Sequence, residues 1–132
     1  MFETLTVKTS SRIEMVDITE RITGFITRHN IGSGLCCLFV PHTTAGITIN
    51  ENADFTVQLD INSKLSELIP AGENYSHLEG NSDSHVKSTV VGSSLSVIID
   101  RGRLVLGTWQ GIYFCEFDGP RNRNLYIKLI EG

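Results

Sequence analysis

Only three cysteines, three prolines, two methionines and one tryptophan occur among 132 residues. Three cysteines cannot all pair, and Cys36 and Cys37 are adjacent in an apolar run, so the chain reads as one with structural thiols in a reducing compartment. Basic residues are also scarce, 11 against 15 acidic ones, and apart from Arg121-Asn-Arg123 they are scattered. A net charge of -4 offers no footprint for nucleic acid or an anionic membrane. No apolar run approaches the roughly 18 residues of a membrane-spanning helix. The opening Met-Phe-Glu-Thr-Leu-Thr-Val-Lys has neither a basic region nor a continuous apolar stretch, so no secretory signal is visible. Together these absences point to a cytoplasmic protein. A Walker loop, a dinucleotide fingerprint and a Gly-x-Ser-x-Gly elbow are absent too, which removes the common nucleotide and hydrolase templates.

What is present predicts a single domain over residues 1–132, long enough to bury roughly two thirds of its unfolded surface. Leu5 and Val7 alternate with Thr4, Thr6 and Lys8 as a half-buried strand does. Ile18, Ile22, Phe25 and Ile26 form a helical stripe, with Asp17 or Thr19 available as N-cap. Leu-Cys-Cys-Leu-Phe-Val, ending at Pro41, is apolar on both faces and predicts a central strand covered on both sides. Ile47 and Ile49 mark another strand. Ala53, Val57, Ile61, Leu65 and Leu68 mark a second helix, with Asp60 at the edge of the stripe. After a polar loop from Pro70 to Asn81, Ser82 or Asp83 is expected to cap a short helix that turns Val86, Val90 and Val91 to the core. The remainder reads as strands: Leu95 to Ile99, a turn at Arg101-Gly102, Leu104 to Leu106, Ile112 to Asp118, a turn at Gly119-Pro120, and Leu125 to Leu129. The pattern is α+β, a mainly antiparallel sheet or sandwich carrying two or three helices.

Three polar, glycine-punctuated runs have no place in that apolar periodicity. They are Pro41-His-Thr-Thr-Ala-Gly46, His77-Leu-Glu-Gly-Asn-Ser-Asp-Ser-His85, and Gly107-Thr-Trp-Gln-Gly111 leading to Glu116-Phe-Asp-Gly-Pro-Arg121. The expectation is that they converge on one site. His42, His77 and His85 make either a three-nitrogen set for a divalent metal, zinc or magnesium, with Glu79 or Asp60 behind them, or metal-free acid–base groups. Glu116 and Asp118 share a strand face with Ile112 and Phe114. An apolar border would raise their pKa and suit a general base or a metal ligand. Arg121 suits bidentate capture of phosphate or carboxylate. Trp109, flanked by glycines, Thr108 and Gln110, is a candidate stacking platform for a planar heterocycle.

These same runs resemble the motifs of the YjbQ-like family, called secondary thiamine-phosphate synthase, in order and spacing over essentially the whole chain. The resemblance implies a jelly-roll-like β-sandwich with flanking helices, assembled as a homotrimer with clefts between subunits. It also implies a transferase activity, joining hydroxymethylpyrimidine diphosphate to a thiazole phosphate with release of pyrophosphate. Matched by motif, the site residues are His42, Thr43, Thr44, His77, Asn81, His85, Trp109, Gln110, Glu116 and Arg121. Phe55 stands where proline is expected in many relatives. Two other functions fit the residues: metal-dependent hydrolysis of a small phosphorylated substrate, and non-catalytic small-molecule binding.

Overall fold

Phe2–Lys8 alternates and forms β1, whose partner is the last strand, β8, Asn122–Glu131. In the computed structural model, which describes residues 1–132, this pair begins a five-stranded antiparallel sheet ordered β1-β8-β3-β5-β6. Its other members are β3 (Gly34–Phe39), β5 (Ser94–Asp100) and the short β6 (Arg103–Leu104). A second sheet, β2-β7-β4, is built from Glu14–Asp17, Gln110–Glu116 and Ala45–Glu51 and is antiparallel as well. With helices α1 (Thr19–Arg28), α2 (Phe55–Leu68) and α3 (Ser82–Val91), the architecture is α+β, two antiparallel sheets and three helices. No helix is long and apolar enough to cross a membrane.

The core lies where the inward faces of both sheets meet α1. Val7, Cys36, Leu38, Leu125, Ile127 and Leu129 from the larger sheet pack with Ala45, Ile47, Ile112 and Phe114 from the smaller. Ile22, Phe25 and Ile26 complete it from α1, each side chain contributing about 1.5–3 kcal/mol by leaving water. The helix starts after Ile18 rather than at a side-chain cap, although Asp17 Oδ1 accepts from the Thr19 N–H at 2.9 Å. Its Thr19 hydroxyl accepts from the Ile112 N–H at 2.8 Å and ties α1 to β7.

Three features depart from the pattern read in the sequence. β2 escaped it, since four residues are too few for alternation to register. β3 is central in order but covered on one side only: Cys36 and Leu38 are buried, whereas Leu35, beside Ile98 and Ile130, and Phe39, beside Tyr126, are exposed. Most instructive is α3, whose Val86 and Val90 point to solvent while Ser82, Asp83, Ser84, Lys87 and Ser88 are buried. This helix lies over the ends of strands, where main-chain carbonyls have run out of ladder partners and must be satisfied. Ser84 Oγ donates to Phe117 O at 2.5 Å and Ser88 Oγ to Thr43 O at 2.6 Å. Lys87 Nζ, buried with Asp83, lies 3.3 Å from Asp83 Oδ2 and 3.4 Å from Ser66 Oγ of α2. Arg12 reaches Asp83 Oδ1 at 3.1 Å from the other side.

Helix α2 is capped as its composition suggests, Asp54 accepting from the Thr56 N–H at 2.9 Å. None of its residues is fully buried. Val57, Ile61 and Leu65 are half-buried, Phe55, Leu59 and Leu68 are exposed, and Asp60 faces solvent rather than inward.

Candidate functional site: a polar cleft at the strand ends

The anchor of the site is an ion pair at the end of β7. Glu116 and Arg123 are both buried and paired through both guanidinium-facing oxygens: Arg123 Nε donates to Oε1 at 2.9 Å and Nη2 donates to Oε2. Thr9 Oγ1 donates to Oε1 at 2.7 Å, and the Asp118 N–H to Oε2 at 3.0 Å. Burial by itself would raise the Glu116 carboxyl. The hydrogen bonds from Arg123, the Asp118 N–H and Thr9, together with the Arg123 charge, outweigh it and hold the group below the usual range. The raised pKa expected for a general base at this position is therefore reversed, and the carboxylate serves to hold Arg123. Gly119 permits the tight turn behind it, because a Cβ there would come within 2.4 Å of Ser11 O and 2.8 Å of Thr9 Oγ1.

Arg123 in turn donates from Nη2 to Thr44 Oγ1 at 2.8 Å, so the buried Thr44 is a support for the arginine. Arg123 was not singled out from the sequence. The signal was there: it has the parity of Leu125, Ile127 and Leu129, the inward face of β8, as Glu116 has the parity of Ile112 and Phe114. Two opposite charges on two buried faces have to find each other.

Three runs of chain meet in front of this pair. A cleft of about 400 Å³ is lined by Pro41, His42, Thr43 and Thr44, by Glu79, Asn81 and His85, and by Asp118, Arg121 and Arg123. Pro41 ends the strand and leaves His42 half-buried, where its Nε2 accepts from the Asn124 N–H at 2.9 Å. A backbone amide can only donate, so the His42 proton sits on Nδ1. Burial, followed by the charge of Arg123, lowers the His42 pKa and keeps the ring neutral. Arg121 is more exposed. Its Nε donates to Asp118 O at 2.7 Å and its Nη2 to Asp118 Oδ2 at 3.0 Å, leaving its remaining N–H donors available. Asn81 Nδ2 donates to the same Asp118 Oδ2 at 2.9 Å, so one carboxylate aligns both side chains.

His85 lies one helical turn into α3, and the His77 ring meets it edge-on, centroids 5.3 Å apart at 86°. His77 itself stands outside the cleft wall, its Nε2 3.8 Å from the exposed Glu79. The expected three-nitrogen metal set would have to use Nδ1 of His42, since its Nε2 accepts from the Asn124 N–H, and His77 from outside the cleft wall. Trp109 and Gln110 do not join the cleft. They lie at the opposite end of β7 from Glu116, about 20 Å away at strand rise. Trp109 is 62% exposed, and Gln110 folds back to accept from the Gly107 N–H at 2.8 Å. Cys36 and Cys115 are buried, their thiols pushed up to about 12, chiefly by desolvation, which makes them inert.

Fold and cleft together define a small α+β protein with a mainly polar, histidine- and arginine-lined hollow at the ends of its strands. The family model described as UPF0047 protein YjbQ-like matches residues 3–132, and the chain belongs to that family. Among its relatives, a UPF0047 protein of Methanocaldococcus jannaschii is 56% identical over 124 residues, covering 94% of this chain and 90% of that one. YugU of Bacillus subtilis is 53% identical over 131 residues, covering 98% and 99%. A crystal structure of a YjbQ/UPF0047 family protein from Clostridium acetobutylicum superposes with a TM-score of 0.95 at 47% identity, covering 97% of this chain and 99% of that one. A YbjQ-like protein from Sulfolobus solfataricus gives the same TM-score at 31% identity, covering 100% and 97%.

Proposed function

We propose that the cleft binds a small phosphorylated molecule and that His42 and His85 carry out acid–base chemistry beside it. The observation that supports this is the gathering of two arginines, two histidines and Asn81 on one hollow of about 400 Å³. Arg121, oriented by Asp118, presents free N–H donors to an anion; Arg123, its charge balanced by Glu116, lines the cleft behind it. His42, neutral with its proton on Nδ1, donates to the bound group, and His85 accepts or returns a proton.

The specific reaction we propose is the one the family resemblance implies: hydroxymethylpyrimidine diphosphate and a thiazole phosphate join and pyrophosphate leaves. Arg121 would balance the charge on the departing diphosphate and a histidine would protonate its leaving oxygen. Trp109, at the far end of β7, enters this reading only through a neighbouring copy. The proposal therefore includes the homotrimer and the jelly-roll-like sandwich grouping of the two sheets. What supports assembly is the uncovered apolar surface, with Leu35, Phe39, Ile98 and Ile130 on the larger sheet and Val86 and Val90 on α3 exposed.

Turnover of the two phosphorylated substrates by wild type, His85→Ala and Arg121→Ala tests the reading. Each substitution is expected to lower the rate by about 100-fold, the usual effect of losing an acid–base or charge-stabilising group. Unchanged rates in both would end it. Hydrolysis of phosphate esters that tracks metal content would move the site to a metal-dependent hydrolase, and tight ligand binding without turnover would make it a binding protein.

A further inference from the structure

The histidines stand on a boundary. On one side lies the cleft already described. On the other, His42, Thr43 and His85 also line a second hollow of about 460 Å³, completed by Ser88, Thr89, Gly92 and Ser93. The chemistry of the two differs sharply. Glu79, Asp118, Arg121 and Arg123 all belong to the first; apart from the shared histidines, no ionisable side chain borders the second.

The second hollow is nevertheless built for hydrogen bonding. Ser88 Oγ directs its proton to Thr43 O at 2.6 Å or His85 O at 2.9 Å, and Thr89 Oγ1 donates to His85 O at 2.9 Å. Both oxygens thus retain lone pairs as acceptors. Thr43 and Ser93 are exposed, and each carries a hydroxyl that can donate or accept. The floor is open at Gly92, where nothing lies within 4 Å of the Cβ position.

We infer that these two hollows are lobes of one site, and that its ligand carries all its negative charge at one end and an uncharged, hydrogen-bonding body at the other. This rests on the phosphate reading above and narrows it. The anionic end sits with Arg121 and Arg123; the neutral body crosses between His42 and His85 and is read by the hydroxyls of Thr89 and Ser93. A molecule with phosphate at both ends is disfavoured, because its second phosphate would sit in a lobe with no arginine or lysine to receive it. The bond between the charged end and the neutral body then lies between the two histidines.

Titration of the full chain, followed by amide NMR shifts, tests this with inorganic phosphate, fructose 6-phosphate and fructose 1,6-bisphosphate. The monophosphate is expected to bind about tenfold more tightly than inorganic phosphate, the effect of one or two added hydrogen bonds, and the bisphosphate no more tightly. Thr89→Val combined with Ser93→Ala should bring the monophosphate down to the affinity of inorganic phosphate and leave the latter within about twofold. A bisphosphate that binds as well as the monophosphate, or a double variant with no effect, overturns the two-lobe assignment alone. If inorganic phosphate fails to bind, or binds equally well to Arg121→Ala, the phosphate reading fails and this inference with it.

Discussion

At the scale of single residues, Glu116 is buried as the partner of Arg123 while His42 stands on the cleft wall. Glu116 is the anchor and His42 the group poised at the surface of the cleft. Glu116→Gln removes the charge that Arg123 is buried against and should cost about 3–5 kcal/mol, the usual price of stranding one partner of a buried pair. Urea unfolding measures it, and a loss under about 1 kcal/mol would show that Arg123 finds water instead. His42 carries a pH signature. Its folded pKa lies below the ordinary value of 6.5, so the unfolded chain binds the proton more readily. The stability it contributes is complete above about pH 6.5 and is lost as the pH falls below that value and through the folded pKa. An imidazole titration should give His42 a midpoint below 6.5, and the Asn124 amide should shift with it. A midpoint at or above 6.5 would mean that burial and the Arg123 charge do not hold the ring neutral.

Among the elements, α3 shows most clearly where periodicity in sequence stops being informative. Val86, Val90 and Val91 share a helical face and invite the assumption that it is the buried one. The face turned inward is Asp83, Ser84, Lys87 and Ser88, because the ground beneath it is a row of strand-end carbonyls and the arginine of residue 12. α1, by contrast, sits on an apolar surface, and Ile22, Phe25 and Ile26 were legible at once. So α3 is held by polar contacts, and these place Asn81 and His85 on the cleft. Lys87→Ala should destabilise the protein by about 3 kcal/mol by leaving Asp83 with Arg12 alone, whereas Lys87→Met with Asp83→Asn should recover much of that loss. Equal losses in the single and double variants, read from denaturant midpoints, would show that the stranded Asp83 charge is not the source of the loss.

On the scale of the whole molecule, strands separated by clear turns and most of the three polar runs could be read from the chain, and their meeting at the cleft follows from the start of β4 pairing with the end of β7 beside α3. The failure of Gly107–Gly111 to join them has a geometric cause: the run lies at the start of β7 and Glu116 at its end, and sequence proximity hides the length of a strand. The one-sided cover of β3 was equally hidden, since an apolar face looks the same whether its own chain or another copy covers it. Light scattering on the eluted protein should give three times the 14.6 kDa chain mass. Leu35→Glu with Phe39→Lys should return it to one. A single-chain mass for the wild type would remove the trimer and, with it, any part for Trp109.

The most direct test of the central claim, that the cleft of His42, His85 and Arg121 is an anion-binding acid–base site, is a nitrogen-15 titration of the full chain with inorganic phosphate. The Asn124 amide, which reports on His42, and the imidazole nitrogens of His42 and His85 are expected to shift together and saturably, and Arg121→Ala should abolish the shifts. Unmoved resonances at saturating phosphate, or shifts that persist in Arg121→Ala, would contradict it.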